Sequence, residues 1–429
     1  MQDTPNDPPR GATPGISAPA YGPDSFVSWR NFADADPRTA CRSFLIHDVT
    51  LRDGEQQAGV VFSSAQRLEI ALALASAGVD RIEAGMIGVF EEDNGAIRTL
   101  VDMGLGCEIW TIARSIPADV VKAVEIGVDG VGVILLANDQ YCRIFGWTPA
   151  EAMCNAVEAA AEAVRGDVRT ALLVADSSRM QAERLRAIVA AATESKAFGS
   201  IALMDTFGAL NPRGTAHLVR SVRAMTHLPI EFHAHNDFGL GTANTLAALE
   251  AGTDVVHASV IGLGERVGNA PLEEVAAGAT LLHGRAHRLD LSRLCELARL
   301  VQRCSGVTVA ANKAIVGESY SQVESGAVAA EYTRIMEQRE DLQWLFPFRP
   351  ALVGAPDIQL VLGKGSGKAN INAALASANL TLPPARLQEV VAAVKQEAAR
   401  LHRLLTPAEF LALACRAGAA TGASRLHQA

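Results

Sequence analysis

Residues 231–237 read Glu-Phe-His-Ala-His-Asn-Asp and follow an apolar run that ends at Ile230. This pattern predicts a short buried strand that ends in polar residues. Side chains two apart on a strand point to the same face, so His233 and His235 are directed together while the residues between them face away. Two imidazoles on one strand face supply half of a metal-binding site.

The same pattern, a short apolar run followed by an amphipathic helical segment, repeats eight times along the chain. Eight strand–helix units in about 240 residues match the size of a (β/α)8 barrel. A doubly wound sheet is the alternative, but eight regular units favour closure. We therefore predict the α/β class, with a TIM barrel followed by mostly helical C-terminal accessory subdomains. The predicted strands are Ser43–Val49, Arg81–Glu83, Glu108–Ile112, Gly130–Leu136, Thr170–Val174, Ile201–Met204, Ile230–Ala234 and Val255–Ile261.

The regions outside the barrel differ in composition. Residues 1–40 are rich in Pro, Gly, Asp and Ser, which predicts a mostly disordered leader. The barrel domain is predicted over residues 41–288, a linker or first helical subdomain over 289–350 and a second helical subdomain over 351–429. Within the last, residues 406–409 (Thr-Pro-Ala-Glu) have the N-cap, the first-turn proline and the capping-box acid of a helix start.

Composition limits the kinds of partner. The net charge of −9 argues against nucleic acid and anionic membranes. We find no apolar run of the roughly 18 residues that a membrane span needs, and no secretory signal pattern. The seven cysteines are scattered and odd in number, which is typical of a reducing cytoplasm. We expect a cytoplasmic enzyme that acts on small molecules.

Polar clusters follow two further strands. The first strand runs into Arg52 and Asp53, where a barrel would place a charge stabiliser and a metal ligand, although a surface ion pair explains these two residues equally well. The eighth strand runs into a glycine-containing loop, in which Asn269 offers an amide oxygen. His233 and His235 alone could be core histidines. Three polar clusters at the same end of different strands favour one shared site, because that end carries the chemistry in barrels.

Long motifs make the family recognisable. The chain resembles the synthases of the DRE-TIM metallolyase superfamily, which includes 2-isopropylmalate, homocitrate, citramalate and 2-phosphonomethylmalate synthases. HMG-CoA lyases share the barrel but carry a Cys-bearing glycine loop where this chain has GLGERVGN, which favours a synthase. The matching stretches are LRDGEQQAGVVFS (51–63), RIEAG (81–85), DTFGALNP (205–212), HAHNDFGLGTANTLAALEAG (233–252) and GLGERVGNAPLEEV (262–275).

The resemblance implies a metal-dependent, Claisen-type condensation of acetyl-CoA with a 2-oxo acid, which releases CoA. The divalent ion (Zn, Mn, Co or Mg) would be held by Asp53, His233 and His235, with Asn269 nearby as a further ligand. The ion would polarise the carbonyl of the 2-oxo acid as a Lewis acid. The resemblance also implies a homodimer, for which the aromatic segment 344–348 is a predicted contact.

The resemblance assigns roles to several polar side chains. Arg52 would stabilise the negative charge that develops on the attacked oxygen or on the enolate of acetyl-CoA. Thr206 would bind the substrate carboxylate, although it could equally cap a strand end. Gln56 and Glu83 would line the pocket, and a buried Glu83 could instead be structural.

Two departures from the family pattern concern the base that removes a proton from acetyl-CoA. Ala175 stands where the family commonly has Glu, and Val328 stands where it has His. Asp176, Glu324 or Tyr332 could substitute, and the sequence gives no physical basis to choose among them. We predict that Asp176 or Tyr332 is the catalytic residue.

The identity of the 2-oxo acid is a separate hypothesis. The stretches GEQQAGV (54–60) and GLGERVGNAPLEEV (262–275) look most like the homocitrate and 2-phosphonomethylmalate synthase branch, and this resemblance favours a dianion such as phosphonopyruvate or 2-oxoglutarate. Arg114, Arg143 or Arg179 could meet its second carboxylate or phosphonate. Each could also be a solvated arginine. The alternatives are a 2-isopropylmalate or citramalate synthase, a lyase or aldolase on the same barrel, and a metal-binding homologue with impaired catalysis.

Overall fold

The barrel is present and closed. The computed structural model describes residues 21–22, 25–32, 43–89, 91–338 and 345–421. Eight parallel strands follow one another around the barrel, and the last strand pairs with the first, so that His257 lies opposite His47. The predicted TIM barrel is therefore confirmed. Its strands are β1 (Leu45–Asp48), β2 (Arg81–Met86), β3 (Glu108–Arg114), β4 (Gly130–Leu135), β5 (Arg169–Val174), β6 (Ser200–Asp205), β7 (Ile230–Ala234) and β8 (Val255–Ala258).

Helices alternate with these strands, as the sequence pattern predicts. Local signals fix their ends: the Ser63 hydroxyl accepts from the Gln66 amide to start the first helix, and Gly78 ends it at a φ of 93° that glycine adopts without strain. The helices of the barrel unit are α1 (Ser64–Ala77), α2 (Glu91–Asp102), α3 (Pro117–Ile126), α4 (Asp139–Phe145), α5 (Pro149–Arg165), α6 (Ala182–Ser195), α7 (Pro212–Arg223), α8 (Gly241–Glu250), α9 (Leu272–His283) and α10 (Leu294–Ser305).

The barrel interior has two chemically different halves. Strands β3, β5 and β6 contribute an apolar cluster, and β1, β2, β7 and β8 contribute buried charged and imidazole side chains. Because β7, β8, β1 and β2 are consecutive around the closed barrel, this division places the polar groups together on one side. The apolar half is Trp110, Ile112, Ala171, Leu173 and Ala202, and the polar half is His47, Arg81, Glu83, Glu231, His233 and His257.

Two glycines of β4 make room for the apolar half. A Cβ atom at Gly130 would lie 2.3 Å from Cε2 of Trp110, and one at Gly132 would lie 2.8 Å from Cδ1 of Leu173. Trp110 is buried and cannot move away easily, because the Arg81 guanidinium carbon lies over its ring at 4.3 Å from the centroid. Glycine at position 130 is therefore required by space rather than by backbone angle.

Replacing Gly130 by Ala is accordingly expected to destabilise the protein. Overpacking of this kind typically costs about 1 to 3 kcal/mol of unfolding free energy, which urea denaturation would measure. Gly95→Ala is the matched control, because no atom lies within 4 Å of its added Cβ and Gly95 is inside α2. The control should be neutral or stabilising by up to about 1 kcal/mol. Equal stability of G130A and G95A would contradict the tight packing around Trp110.

The barrel unit extends beyond the predicted end of its domain. The chain divides into two compact units, and the first includes residues 28–309. The sequence predicts a boundary at residue 288, but α10 belongs to the barrel unit, because its Leu294, Leu297 and Val301 side chains are buried. The Gln66 side chain also donates to the Cys304 carbonyl oxygen at 3.2 Å. Burial of one helix face places the boundary later in the chain.

The second unit contains residues 21–27 and 310–429, so the predicted boundary near residue 350 lies inside one unit. The predicted helix start at Thr406 is confirmed, since its hydroxyl accepts from the Glu409 amide. None of the helices within the described ranges is both long and apolar enough to cross a membrane. The helices here are α11 (Gly326–Gln338), α12 (Lys368–Ser377), α13 (Leu387–Leu401) and α14 (Pro407–Arg416). Short strand pairs join Gln322–Val323 to Gln359–Leu360 and Leu380–Thr381 to Ala420–Thr421.

Part of the predicted disordered leader is structured. Tyr21–Gly22 and Ser25–Phe26 form a short antiparallel pair, and Trp29–Phe32 is one turn of 3-10 helix. The Phe26 amide donates to the Pro347 carbonyl oxygen at 2.9 Å, so a partner distant in sequence provides the order. Leader residues 1–20, 23–24 and 33–40 lie outside the described ranges, and so does Cys41, the predicted start of the barrel domain.

The aromatic segment predicted to contact a partner subunit packs within its own unit. The Phe348 ring stacks on Tyr320 at 4.5 Å and is 6% exposed. The Tyr320 hydroxyl donates to the Phe348 carbonyl oxygen at 2.6 Å. Phe348 therefore has an intramolecular partner, and residue 344 lies outside the described part of the chain.

Candidate metal centre

Asp53, His233 and His235 converge at the carboxyl ends of β1 and β7. Nε2 of His233 lies 3.3 Å from Oδ2 of Asp53, and Nε2 of His235 lies 3.8 Å from the same oxygen. All three side chains are buried, and one ligand atom from each lies within 4.8 Å of the others. The alternation of β7 directs both imidazoles inward, as the sequence predicts.

The three side chains have the protonation states of metal ligands. Burial would raise the pKa of Asp53, but the charge of Arg52 and the contact with His233 hold it well below its usual range. Burial lowers the pKa of His233. Burial and the neighbouring His233 lower the pKa of His235 to about 4. At neutral pH the cluster therefore offers one carboxylate and two neutral imidazoles.

Unpartnered atoms around the cluster also fit an ion. Both ring nitrogens of His233 and Nδ1 of His235 are buried without a hydrogen-bond partner among the described residues, and so is Oδ1 of Asn269. Asn269 pairs with His235 through the backbone and donates its Nδ2 to the Leu263 carbonyl oxygen at 2.9 Å. Buried polar atoms without partners are costly, and an ion bound to one nitrogen of each imidazole and to Oδ1 of Asn269 would satisfy those that carry a free lone pair towards it. Two imidazoles with oxygen donors suit Zn, Mn or Co.

Arg52 links the predicted pocket residues. Its Nη1 donates to Oδ2 of Asp53 and to Oε1 of Gln56, both at 3.0 Å, and its Nε donates to Oε1 of Glu83. Its Nη2 is buried without a partner among the described residues. The structure thus joins Arg52, Asp53, Gln56 and Glu83 in one group and leaves the Nη2 amino group of Arg52 for a ligand.

Asp176, Arg179 and Thr206 form a separate group. The Asp176 carboxylate accepts hydrogen bonds from Nε and Nη2 of Arg179, each at 2.8 Å, and from Nδ2 of Asn138 at 2.6 Å. The Asp176 amide donates to the Thr206 hydroxyl at 2.8 Å. The Arg179 guanidinium carbon lies 4.1 Å from the centroid of the Phe207 ring. Thr206 therefore caps a backbone amide, which is one of the two roles that the sequence allows. Its hydroxyl can still donate a hydrogen bond to a ligand.

Tyr332 lies on α11 in the second unit and is half-buried. Burial raises the pKa of its hydroxyl, so the neutral phenol is the dominant form at neutral pH. Tyr332 remains a prediction from the sequence.

Among the buried polar residues to which the sequence assigns no role, His47, Glu231 and His257 form one cluster. Nε2 of His257 lies 2.8 Å from Oε2 of Glu231, and the His47 and His257 rings stack at 4.4 Å. A signal was present, because each residue is polar and stands at an inward position of a strand that is otherwise apolar. Their mutual contact depends on how the barrel closes, which one strand pattern does not reveal.

A cleft of about 490 Å³ borders the Arg52 group. Its wall includes Arg52 and Gln56 together with the apolar side chains of Val60, Phe62 and Met86. The cleft therefore offers an apolar surface next to the unpartnered guanidinium N–H, as expected of a small-molecule site.

Comparison with known proteins gives relatives over most of the chain. A family profile described as HMGL-like matches residues 43–301. Homocitrate synthase 1 of a Nostoc species is 35% identical over 370 residues, which cover 86% of this chain and 96% of that protein. The (R)-citramalate synthase CimA of Methanocaldococcus jannaschii is 32% identical over 371 residues, which cover 86% of this chain and 73% of that protein.

Solved structures share the fold. The HMG-CoA lyase of Brucella melitensis aligns with a TM-score of 0.56 over 62% of this chain and 100% of that one. The two sequences are 19% identical in this alignment, so the likeness shows the barrel alone.

Proposed function

Because this chain belongs to the HMGL-like family of the DRE-TIM metallolyases, in the branch similar to homocitrate synthases, we propose that it condenses acetyl-CoA with a 2-oxo acid. The reaction forms a carbon–carbon bond between the acetyl methyl carbon and the keto carbon, and hydrolysis of the thioester releases CoA. Relatives named homocitrate synthase and citramalate synthase support this reaction type.

The observation that carries the proposal is the convergence of Asp53, His233 and His235 beside Arg52. These three residues would hold a divalent ion, with the Asn269 amide oxygen nearby. When bound, such an ion supplies a Lewis acid that polarises the keto group. The unpartnered N–H of Arg52 would stabilise the oxygen on which negative charge develops, and burial strengthens that interaction.

The remaining residues of the group would orient the substrate. Gln56 and Glu83 hold the Arg52 guanidinium in place, and the Thr206 hydroxyl would donate to the substrate carboxylate. Asp176 is a weaker candidate for the proton-abstracting base than the sequence implies, because its carboxylate oxygens already accept hydrogen bonds from Arg179 and Asn138. We retain Asp176 and Tyr332 as the two candidates for that base.

Two of the three arginines named for a dianion are already paired, which supports an uncharged substrate side chain instead. Arg114 donates to both carboxylate oxygens of Asp119, at 2.7 and 2.9 Å, and Arg179 is paired with Asp176. Met86, Ile134 and Met204 pack on the apolar half of the barrel interior and are themselves partly exposed. We therefore propose a 2-oxo acid with a short aliphatic side chain, such as pyruvate or 2-oxoisovalerate. Phosphonopyruvate and 2-oxoglutarate are the second candidates.

A substrate panel tests this proposal. With acetyl-CoA held constant, kcat/KM for pyruvate or 2-oxoisovalerate is expected to exceed that for 2-oxoglutarate and phosphonopyruvate by at least about fivefold, since an unpaired buried charge costs about 1 kcal/mol or more. Release of CoA thiol and mass spectrometry of the product give the readout. The control omits the oxo acid and measures simple thioester hydrolysis. A higher kcat/KM for a dianion would contradict the proposed substrate preference. Thiol release at the same rate without any oxo acid would contradict the proposed condensation reaction.

The family also leads us to propose a homodimer in the cytoplasm. Light scattering of the purified protein measures the first property directly. A monomeric mass under assay conditions would count against it.

A further inference from the structure

Two buried carboxylates in the polar half of the barrel are each held between an arginine and a histidine. Glu83 on β2 is 1% exposed and Glu231 on β7 is 0% exposed. A carboxylate so deeply buried is tolerated only when charged or hydrogen-bonding partners surround it. The partners of each carboxylate therefore show which arginine and which histidine it positions.

Glu83 joins Arg52 to His47. Its Oε1 accepts from Nε of Arg52, and its Oε2 lies 3.4 Å from Nε2 of His47. Burial alone would raise the pKa of Glu83, but the charge of Arg52 and the contact with His47 lower it to about 2. Glu83 is therefore an anion with the guanidinium on one side and the imidazole on the other.

Glu231 has the same kinds of partner. Its Oε1 accepts from Nη1 of Arg81 at 2.9 Å and from the Ser200 hydroxyl at 2.7 Å, and its Oε2 lies 2.8 Å from Nε2 of His257. Ligand atoms of His47, Glu231 and His257 lie close enough together to suit a metal ion. However, both oxygens of Glu231 already have short partners, and the adjacent Arg81 charge opposes a cation. The contacts favour a hydrogen-bonded network at this position over a second metal site.

The imidazoles connect the two groups. His47 and His257 stand opposite each other on the paired strands β1 and β8, and their rings stack at 4.4 Å with an interplanar angle of 21°. The Trp110 ring also contacts His47, edge to face, with 5.7 Å between the centroids. Neighbours on two elements therefore restrict the His47 ring, whose Nε2 faces Oε2 of Glu83 as an electrostatic contact and has no hydrogen-bond partner among the described residues.

We propose that His47 is a positioning residue for Arg52, acting through Glu83, and that the stacked His257 holds the His47 ring in place. Its kinetic test rests on the proposed function. Of the three groups that accept from Arg52, Asp53 and Gln56 lie on the same loop as the arginine, and Glu83 lies on another strand. Glu83 therefore fixes the guanidinium relative to the barrel, and His47 fixes Glu83.

Variants of His47 separate positioning from mere burial. His47→Leu removes the nitrogen that faces Glu83 and keeps a buried side chain. We expect kcat to fall on the order of 30- to 100-fold, because a displacement of about 1 Å in a catalytic group has effects of this size. The KM for the oxo acid should change less than about threefold, as for an interaction made mainly in the transition state. His47→Gln retains an N–H donor and should recover most of kcat.

Two controls accompany these variants. His287→Gln replaces a half-buried histidine that bonds to Thr280 and to the Ala276 carbonyl oxygen, and it should leave kcat unchanged. Bound metal, measured by elemental analysis, should be the same in every His47 variant as in the unchanged protein. Loss of metal in H47L would place His47 in the metal site and overturn the positioning role.

A double variant tests the route of action. If His47 acts through Arg52, adding His47→Leu to Arg52→Gln has no further effect on kcat. If the two residues act independently, the fold-losses in kcat of the two single variants multiply in the double variant, and that result would overturn the proposal. Binding of oxalate to the metal-loaded protein, measured by calorimetry, gives a readout without turnover, and H47L should weaken it while H47Q restores it. If the unchanged protein turns over no oxo acid, the proposed function fails, and equal oxalate affinity in H47L and the unchanged protein would still reject the role of His47.

Discussion

Replacing His233 by Ala is expected to remove the bound divalent ion and to lower kcat/KM by at least about 1000-fold. His233 places a buried imidazole beside Asp53, and neither ring nitrogen has a hydrogen-bond partner among the described residues. An ion at this point would supply several kcal/mol of charge stabilisation, and about 1.4 kcal/mol corresponds to about tenfold in rate. Elemental analysis and the CoA-release assay measure the two effects.

His217→Ala is the matched control for that variant, because His217 is exposed on α7. It should retain both the ion and the activity. A chelator should inactivate the unchanged protein, and added Zn, Mn or Co should restore the rate. Full activity of H233A after dialysis against chelator would show that the chemistry does not need this centre.

Arg52→Gln is expected to reduce kcat by about 100- to 1000-fold while the bound ion stays in place. This is the usual cost of removing one preorganised donor from a developing oxyanion. The argument rests on the buried Nη2 of Arg52, which has no partner among the described residues and lies on the same guanidinium that binds Asp53. Steady-state kinetics with the preferred oxo acid provide the measurement.

The Arg52→Gln variant needs a control for folding, because removing the guanidinium takes a charged partner away from the buried Glu83. Arg52→Lys keeps the charge but loses the forked geometry, so it should be better folded and still impaired. Arg165→Gln changes an exposed arginine at the end of α5 and should have no effect on kcat. Activity of R52K equal to that of the unchanged protein would assign the guanidinium a role in stability alone.

The repeated strand–helix pattern was sufficient to predict the fold. Each of the eight predicted strands overlaps a strand of the barrel, because a short apolar run followed by an amphipathic helix leaves few other ways to bury both. The proximity of Asp53 to His233 also follows from the fold, since the carboxyl ends of all barrel strands meet at one rim. Local signals such as the Thr406 cap were equally readable.

Features that depend on contacts distant in sequence could not be predicted. The stacking of His47 on His257 requires the closing register between β1 and β8. Arg179 and Asp176 are both predicted site residues, and they bind each other. This pairing depends on the direction of the side chains after β5. The place of α10 in the barrel unit is decided by burial of its apolar face, and no composition change marks that boundary.

The division of the barrel interior bears on how such a protein can acquire new substrates. The aliphatic cluster around Ile112 and Leu173 is contributed by strands other than those that carry His47, Glu83 and Glu231. If the partly exposed Met86, Ile134 and Met204 contact the oxo acid as proposed, mutations that enlarge or shrink the aliphatic side would alter substrate choice without replacing a residue of the ionic side. Gene duplication followed by drift on one side of the interior would then yield a set of paralogues with a common reaction and different acids.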